Sequence, residues 1–267
     1  MRYLSQLSLL FLTLLLTACG GGESAVDAAK EAAKMEEEVK PSMAAVGLTP
    51  MPATQDFPDA KLESWTYKDG TFNYEASGYE FAVPTPDADA LMCANSGKGQ
   101  HAHLIINNEP YIAKYDPVFE QALPDGDHHI LTFLSRSYHE SIKNSMAHKA
   151  VMATVANGSF TNTVDVTDPM LFYSRPKGTY VGKKATENVM LDFFPVNAEL
   201  GSEYQVKAVV NGKDEFMINE WRPYFLTGLP MGENTVELTL MKGGVAVDTP
   251  LNPVSRTFKL EADPAGK

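Results

Sequence analysis

The chain has 267 residues, 44% apolar and 10% aromatic, enough to bury more than one core. Its 22 basic and 34 acidic residues leave a net charge of −12. That excludes the basic footprint of a nucleic-acid binder and any polybasic hold on anionic lipid.

The N-terminus reads Met1-Arg2-Tyr3, then an apolar run from Leu7 to Leu16, then Thr17-Ala18-Cys19-Gly20. A basic start, a short apolar core and small residues before a cut site predict a secretory signal over residues 1–18. The run is too short to span a bilayer, which takes about 20 apolar residues. Leu16-Thr17-Ala18-Cys19 resembles the bacterial lipobox. The resemblance implies lipid on Cys19, attachment to the cell envelope, and an outer-membrane position by default because Gly20 rather than Asp follows. Thioether lipid with an N-acyl chain supplies more than one chain, enough for stable anchoring. Cys93, the second of two cysteines, then has no partner and reads as a small buried hydrophobe.

Residues 19–60 read as a flexible tether. Gly20-Gly21-Gly22 leads into an Ala/Glu/Lys-rich stretch, and Pro41, Pro50, Pro52 and Pro58 follow, with no aromatic before Phe57. Such a composition buries too little to offset ordering.

The remainder repeats. Gln100 to Asn108 and Tyr204 to Gly212 are both alternating strands ending in Asn-Asn or Asn-Gly, the latter the favoured hairpin turn. Leu123-Pro124-Asp125-Gly126 and Leu229-Pro230-Met231-Gly232 each precede another strand. The fold class expected is all-β: two tandem immunoglobulin-like sandwiches, at 61–165 and 166–263.

The repeat supplies an internal control. All six histidines lie between residues 101 and 148, in the first copy. His101 and His103 align with Gln205 and Lys207, and His128 and His129 with Asn234 and Thr235. Strand alternation puts Ala102, Leu104, Ile106 and Ile130 inward. It turns His101, His103, Ile105, His129, Leu131 and Phe133 outward, followed by the polar loop Ser135-Arg136-Ser137-Tyr138-His139-Glu140-Ser141. Three readings of this face stand side by side. His101 and His103, with His129 or His139, offer the imidazole set of a zinc or copper site. Leu131 and Phe133 suit packing against the other domain or an envelope protein or peptide partner. The third reading is hydrogen-bonded histidines without a ligand.

No phosphate loop, Gly-x-Ser-x-Gly, His-Glu-x-x-His or Cys-x-x-Cys motif is present, so the expectation is a non-catalytic binding module. Ser137, His139 and Asp127 share no motif that would set triad geometry. The stretch Gln100 to Asn144 resembles lipoproteins of Bacteroidota, through His-x-His-Leu-Ile-x-Asn-Asn-x-Pro-Tyr, Leu-x-Asp-Gly-x-His and Phe-x-Ser-Arg-Ser-Tyr-His-Glu-Ser. Some of those are labelled phosphopeptide-binding. The resemblance implies a forkhead-associated type of sandwich and anion recognition by Arg136, Ser137, Tyr138 and His139, although the Gly-Arg start and the Ser-to-His spacing of that family are missing.

Overall fold

Among the described residues, every regular segment longer than four residues is a strand. A computed structural model describes residues 45–264; the signal, Cys19 and the tether up to residue 44 lie outside the described residues. The strands run β1 (Gly47–Pro50), β2 (Lys61–Lys68), β3 (Thr71–Ser77), β4 (His101–Ile106), β5 (Ile112–Lys114) and β6 (Val118–Glu120). Then come β7 (Gly126–Ser135), β8 (His148–Ala156), β9 (Ser159–Asp165), β10 (Met170–Arg175) and β11 (Gly178–Val181). A helical turn, α1 (Lys183–Thr186), precedes β12 (Val189–Val196), β13 (Tyr204–Val210), β14 (Asp214–Ile218) and β15 (Tyr224–Thr227). The series ends with β16 (Gly232–Lys242), β17 (Val245–Ala246) and β18 (Val254–Glu261).

These make two immunoglobulin-like sandwiches. One pairs the sheet β2-β3-β6 with β5-β4-β7-β8-β9. The other pairs β1-β15-β12-β10 with β11-β18-β16-β13-β14, with β17 on the edge of β16. The two internal hairpins follow from turn chemistry. Asn107 and Asn108, and Asn211 and Gly212, all hold positive φ (51°, 56°, 53° and 65°), the geometry a two-residue type I′ turn demands. The side chains of the turns match too. Asn107 Oδ1 accepts from the backbone N–H of His129 at 2.9 Å, and Asn211 Oδ1 from that of Thr235 at 2.8 Å.

Alternation then sorts each strand. Ala102, Leu104, Ile130, Val151 and Val155 meet Leu62, Tyr67, Phe72 and Tyr74 in one core. Val206, Ala208, Val210, Val236, Leu238 and Leu240 meet Leu171, Leu191 and Phe193 in the other.

One expectation needs correcting. Residues 45–60 are not tether. Gly47-Leu48-Thr49-Pro50 pairs antiparallel with β15, from Gly47 against Thr227 to Pro50 against Tyr224. Met51 is fully buried, its N–H on Pro223 O at 3.0 Å. Arg222 holds Met51 O (2.8 Å), Arg136 holds Gln55 O (3.0 Å) and Asn144 holds Pro58 O (2.9 Å). Composition alone misjudged this stretch because its order comes from distant strands.

The outward face of the first sandwich meets the second, so of the readings of Leu131 and Phe133 the arrangement found is packing against the other domain. Ile105, Leu131 and Phe133 are fully buried against Met170, Phe172, Phe194 and Val196 of the second sandwich. Phe133 stacks on Phe194 at 5.4 Å between ring centroids. Each such side chain contributes roughly 1.5–3 kcal/mol by leaving water. Buried Asp192 adds a polar tie across the junction, accepting from Ser141 N–H at 3.1 Å and pairing with Lys143 at 2.6 Å. The described strands therefore form one unit with a third apolar layer between the sandwiches.

Candidate metal centre

Register places the site. His101 opens β4 opposite Ser135, the last residue of β7. The turn that follows β7 therefore hangs over His101. It is closed by Arg136 N–H on Glu140 O (2.9 Å) and His139 N–H on Arg136 O (2.8 Å), and by a bridge from Ser135 to Ser141. His139 sits at its apex with φ of 73°, a conformation that costs a non-glycine residue about 1–3 kcal/mol and persists only where the surroundings hold it. Its imidazole meets His101 and Tyr111.

Three nitrogens converge there. His101 Nε2 lies 3.0 Å from His103 Nε2 and 2.9 Å from His139 Nδ1. A donor atom from each ring falls within 4.8 Å of those of the others. The tautomer of His101 is fixed, because its Nδ1 can only donate to Gly99 O at 2.9 Å. Its Nε2 therefore presents a bare lone pair. His103 Nδ1 meets Ser174 Oγ at 3.2 Å. Outer partners of this kind are what orient metal-binding histidines.

Protonation does not relieve the crowding. Burial, with Arg175 and Lys177 nearby, pulls the His101 pKa down to about 4. Burial and the neighbouring cationic and imidazole groups hold His103 and His139 well below the ordinary histidine range. Three neutral imidazoles face one another at neutral pH. Ligands on a tetrahedral ion at 2.0–2.1 Å stand about 3.3 Å apart. An ion would thus need the rings to open by only a few tenths of an ångström.

The rest of the wall comes from both sandwiches. The Tyr111 ring lies flat on His103, 3.6 Å between centroids and 4° from parallel. Its hydroxyl is 3.2 Å from His139 Nδ1. A register shift in β10 between Tyr173 and Arg175 re-aims the chain, as bulges do. Arg175 then donates to Tyr111 Oη from Nε at 3.2 Å and Nη2 at 3.0 Å, and to Tyr180 Oη from Nη1 at 3.1 Å. Lys177 sits 3.9 Å over the Tyr111 ring and donates to Tyr111 O at 2.7 Å; burial and Arg175 lower its pKa to about 8. Half-buried His139, Tyr115 and Lys177 form the open side.

The other expected site residues lie elsewhere. His129 is not in the cluster. It stands six residues along β7 from Ser135, roughly 20 Å at strand rise, and lines a cleft with Asp127 and Met152. His128 is a structural residue. It meets Asn107 Nδ2 at 3.0 Å and Pro124 O at 2.9 Å, as Asn234 meets Asn211 and Pro230 O in the second copy. Arg136 is committed to Gln55 O, Ser141 O and Glu140. Ser137 is fully buried and exchanges hydrogen bonds with Thr85, donating its N–H at 2.8 Å. Tyr138 is fully buried with its hydroxyl toward Asp87. Leu131 and Phe133 lie in the junction. Arg136, Ser137 and Tyr138 are thus corrected from ligand contacts to structural ones, because the 136–141 turn folds inward onto residues 55 and 85–87, and Leu131 and Phe133 because Met170, Phe172, Phe194 and Val196 cover them. Cys93 is a buried free thiol.

Tyr111 and Arg175 were missed from sequence. The available signal was an arginine closing the otherwise apolar run Met170-Leu171-Phe172-Tyr173.

No family model matches the chain, and no curated protein matches it. Among solved structures it is similar to the fibronectin(III)-like modules of CbhA from Clostridium thermocellum, at 12% identity and a TM-score of 0.29, covering 83% of this chain and 97% of that one. It is similar to the extracellular domain of BT3049 from B. thetaiotaomicron, at 11% identity and a TM-score of 0.28, covering 79% and 39%. A third likeness is to Bacteroides ovatus SGBP-B, solved with a mixed-linkage heptasaccharide, at 9% identity and a TM-score of 0.23, covering 82% and 71%.

Proposed function

We propose that this chain is a non-catalytic binding module that holds one copper or zinc ion on His101, His103 and His139, and that lipid on Cys19 tethers it to the cell envelope. The observation that carries the metal reading is the convergence of three neutral imidazoles, with His101 Nε2 at 3.0 Å from His103 Nε2 and 2.9 Å from His139 Nδ1, while the outer nitrogens of His101 and His103 are already engaged. Imidazole sets of this kind suit zinc and copper. The sequence Leu16-Thr17-Ala18-Cys19 supports the tether.

The test is titration of the purified chain with Cu(II) and Zn(II), beside a His101→Ala/His103→Ala variant and a His129→Ala variant. Binding of one equivalent, abolished in the first variant and intact in the second, is expected. Failure of the chain to take up either ion would overturn the reading. Cys19→Ser moving the protein from the membrane to the soluble fraction is the matching test of the tether.

A further inference from the structure

The three-imidazole centre has donor atoms but no negative charge. Its clustered ligands among the described residues are His101, His103 and His139, and no Asp, Glu or Cys joins them. Two cationic side chains stand beside it instead. Arg175 donates twice to Tyr111 Oη, and that oxygen is 3.2 Å from His139 Nδ1. The guanidinium is thus one phenol oxygen away from the centre. Lys177 Nζ is 3.9 Å from the centre of the Tyr111 ring, which itself lies on His103. Both charges reach the cluster, since each opposes protonation of all three imidazoles. Neither cation pairs with a carboxylate among the described residues. His101 and His103 are fully buried, so water screens this field poorly.

Such a field acts on an incoming ion in proportion to the ion's charge. At an effective dielectric of about 20, a unit charge about 7 Å away weakens binding roughly fiftyfold for each unit of charge on the ion. A dication meets that penalty twice and a monocation once. Imidazole suits both copper and zinc, so donor type does not choose among them; charge and donor number do. Zinc sites ordinarily supply four positions, whereas Cu(I), a closed-shell monocation, is satisfied by three. Resting on the metal reading above, we propose that the centre selects copper as Cu(I), and that Arg175 and Lys177 set this preference by disfavouring dications. Neither touches the ion; both act through the field. His101 Nε2 is ready to receive it, because Nδ1 donates to Gly99 O. His103 presents Nε2 when its Nδ1 hydrogen points to Ser174 Oγ at 3.2 Å. Cu(I) enters on three lone pairs, with no proton lost and no electron transferred.

The experiment compares Cu(I), Cu(II) and Zn(II) on the purified chain, each in competition with a chromophoric chelator of known affinity. Cu(I) is supplied anaerobically with ascorbate. Lys177→Gln and Lys177→Arg are run beside the parent. The parent should hold Cu(I) more tightly than either dication, with Cu(II) and Zn(II) still bound. Lys177→Gln should tighten Cu(II) and Zn(II) about tenfold more than Cu(I), and Lys177→Arg should keep the ratio within about threefold of the parent. A dication held as tightly as Cu(I), or a ratio unmoved in Lys177→Gln, overturns the inference and leaves the histidine centre standing. No uptake of any of the three ions removes both. The order of affinities in the parent chain decides the matter even if Lys177→Gln does not fold.

Discussion

Phe133→Ala separates a junction from a binding face. Phe133 is fully buried, stacked on Phe194 at 5.4 Å and set 4.9 Å from the His103 ring. Truncating a buried phenylalanine costs about 3–5 kcal/mol, from lost transfer free energy and an unfilled cavity. The stack adds roughly 0.5–1.5 kcal/mol within that range. Ile105, Leu131, Met170 and Phe172 surround the hole, and all belong to strands held by ladders on both sandwiches, so the cavity cannot collapse cheaply. The upper half of the range is expected. Urea unfolding followed by tryptophan fluorescence measures it. At about 1–3 kcal/mol per molar urea, the midpoint should fall by more than about 1 M. A loss below about 1 kcal/mol would show that the two sandwiches do not depend on this layer, and would refute the junction as described.

Three further outcomes are expected. Stability should fall with acid between pH 6.5 and about 4, because the folded state keeps His101 neutral with its pKa down to about 4 while the unfolded chain takes up a proton near 6.5. The sign follows from linkage: the unfolded state binds more protons in that window, so stability is fully present above it and drains as pH drops. For His101 the span corresponds to roughly 3 kcal/mol at most; an urea midpoint that stays level from pH 6.5 to 5 would contradict the burial of the three rings. His128→Asn should cost less than about 1 kcal/mol, since Asn234 makes the equivalent bonds in the second copy and each is worth about that much net; thermal melting would check it. A chain begun at residue 61 should be several kcal/mol less stable than one begun at residue 45, through loss of the β1 ladder and buried Met51, for which methionine truncation alone costs about 2–5 kcal/mol.

What could be read from sequence divides along physical lines. Both Asn-led hairpins and the inward set Ala102, Leu104 and Ile130 follow from local rules, turn dihedrals and side-chain alternation, and those act within a few residues. Alternation also turned Leu131 and Phe133 away from their own core. It could not say that Phe194 would cover them, since that depends on where the second sandwich docks. His101 and His103 share a face by spacing alone. His139 joins them only through the Arg136–Ser141 turn, and His129 separates from them by strand rise. Gly47 to Pro50 carries no alternating pattern of its own, and its strand exists because β15 offers an unpaired edge.

The position of β1 has a mechanical consequence. The first described strand and the last, β18, both belong to the second sandwich, so tension arriving at residue 45 is met there and not by the first sandwich. Four residues of pairing on an edge act as the weakest link in that line. While they hold, the histidine turn feels no load. Once they peel, the pull runs through residues 51–55 to the Gln55 carbonyl, and the group gripping that carbonyl is Arg136, the residue that opens the turn bearing His139. Stretching the chain would therefore tug on the turn that carries one of the three imidazoles.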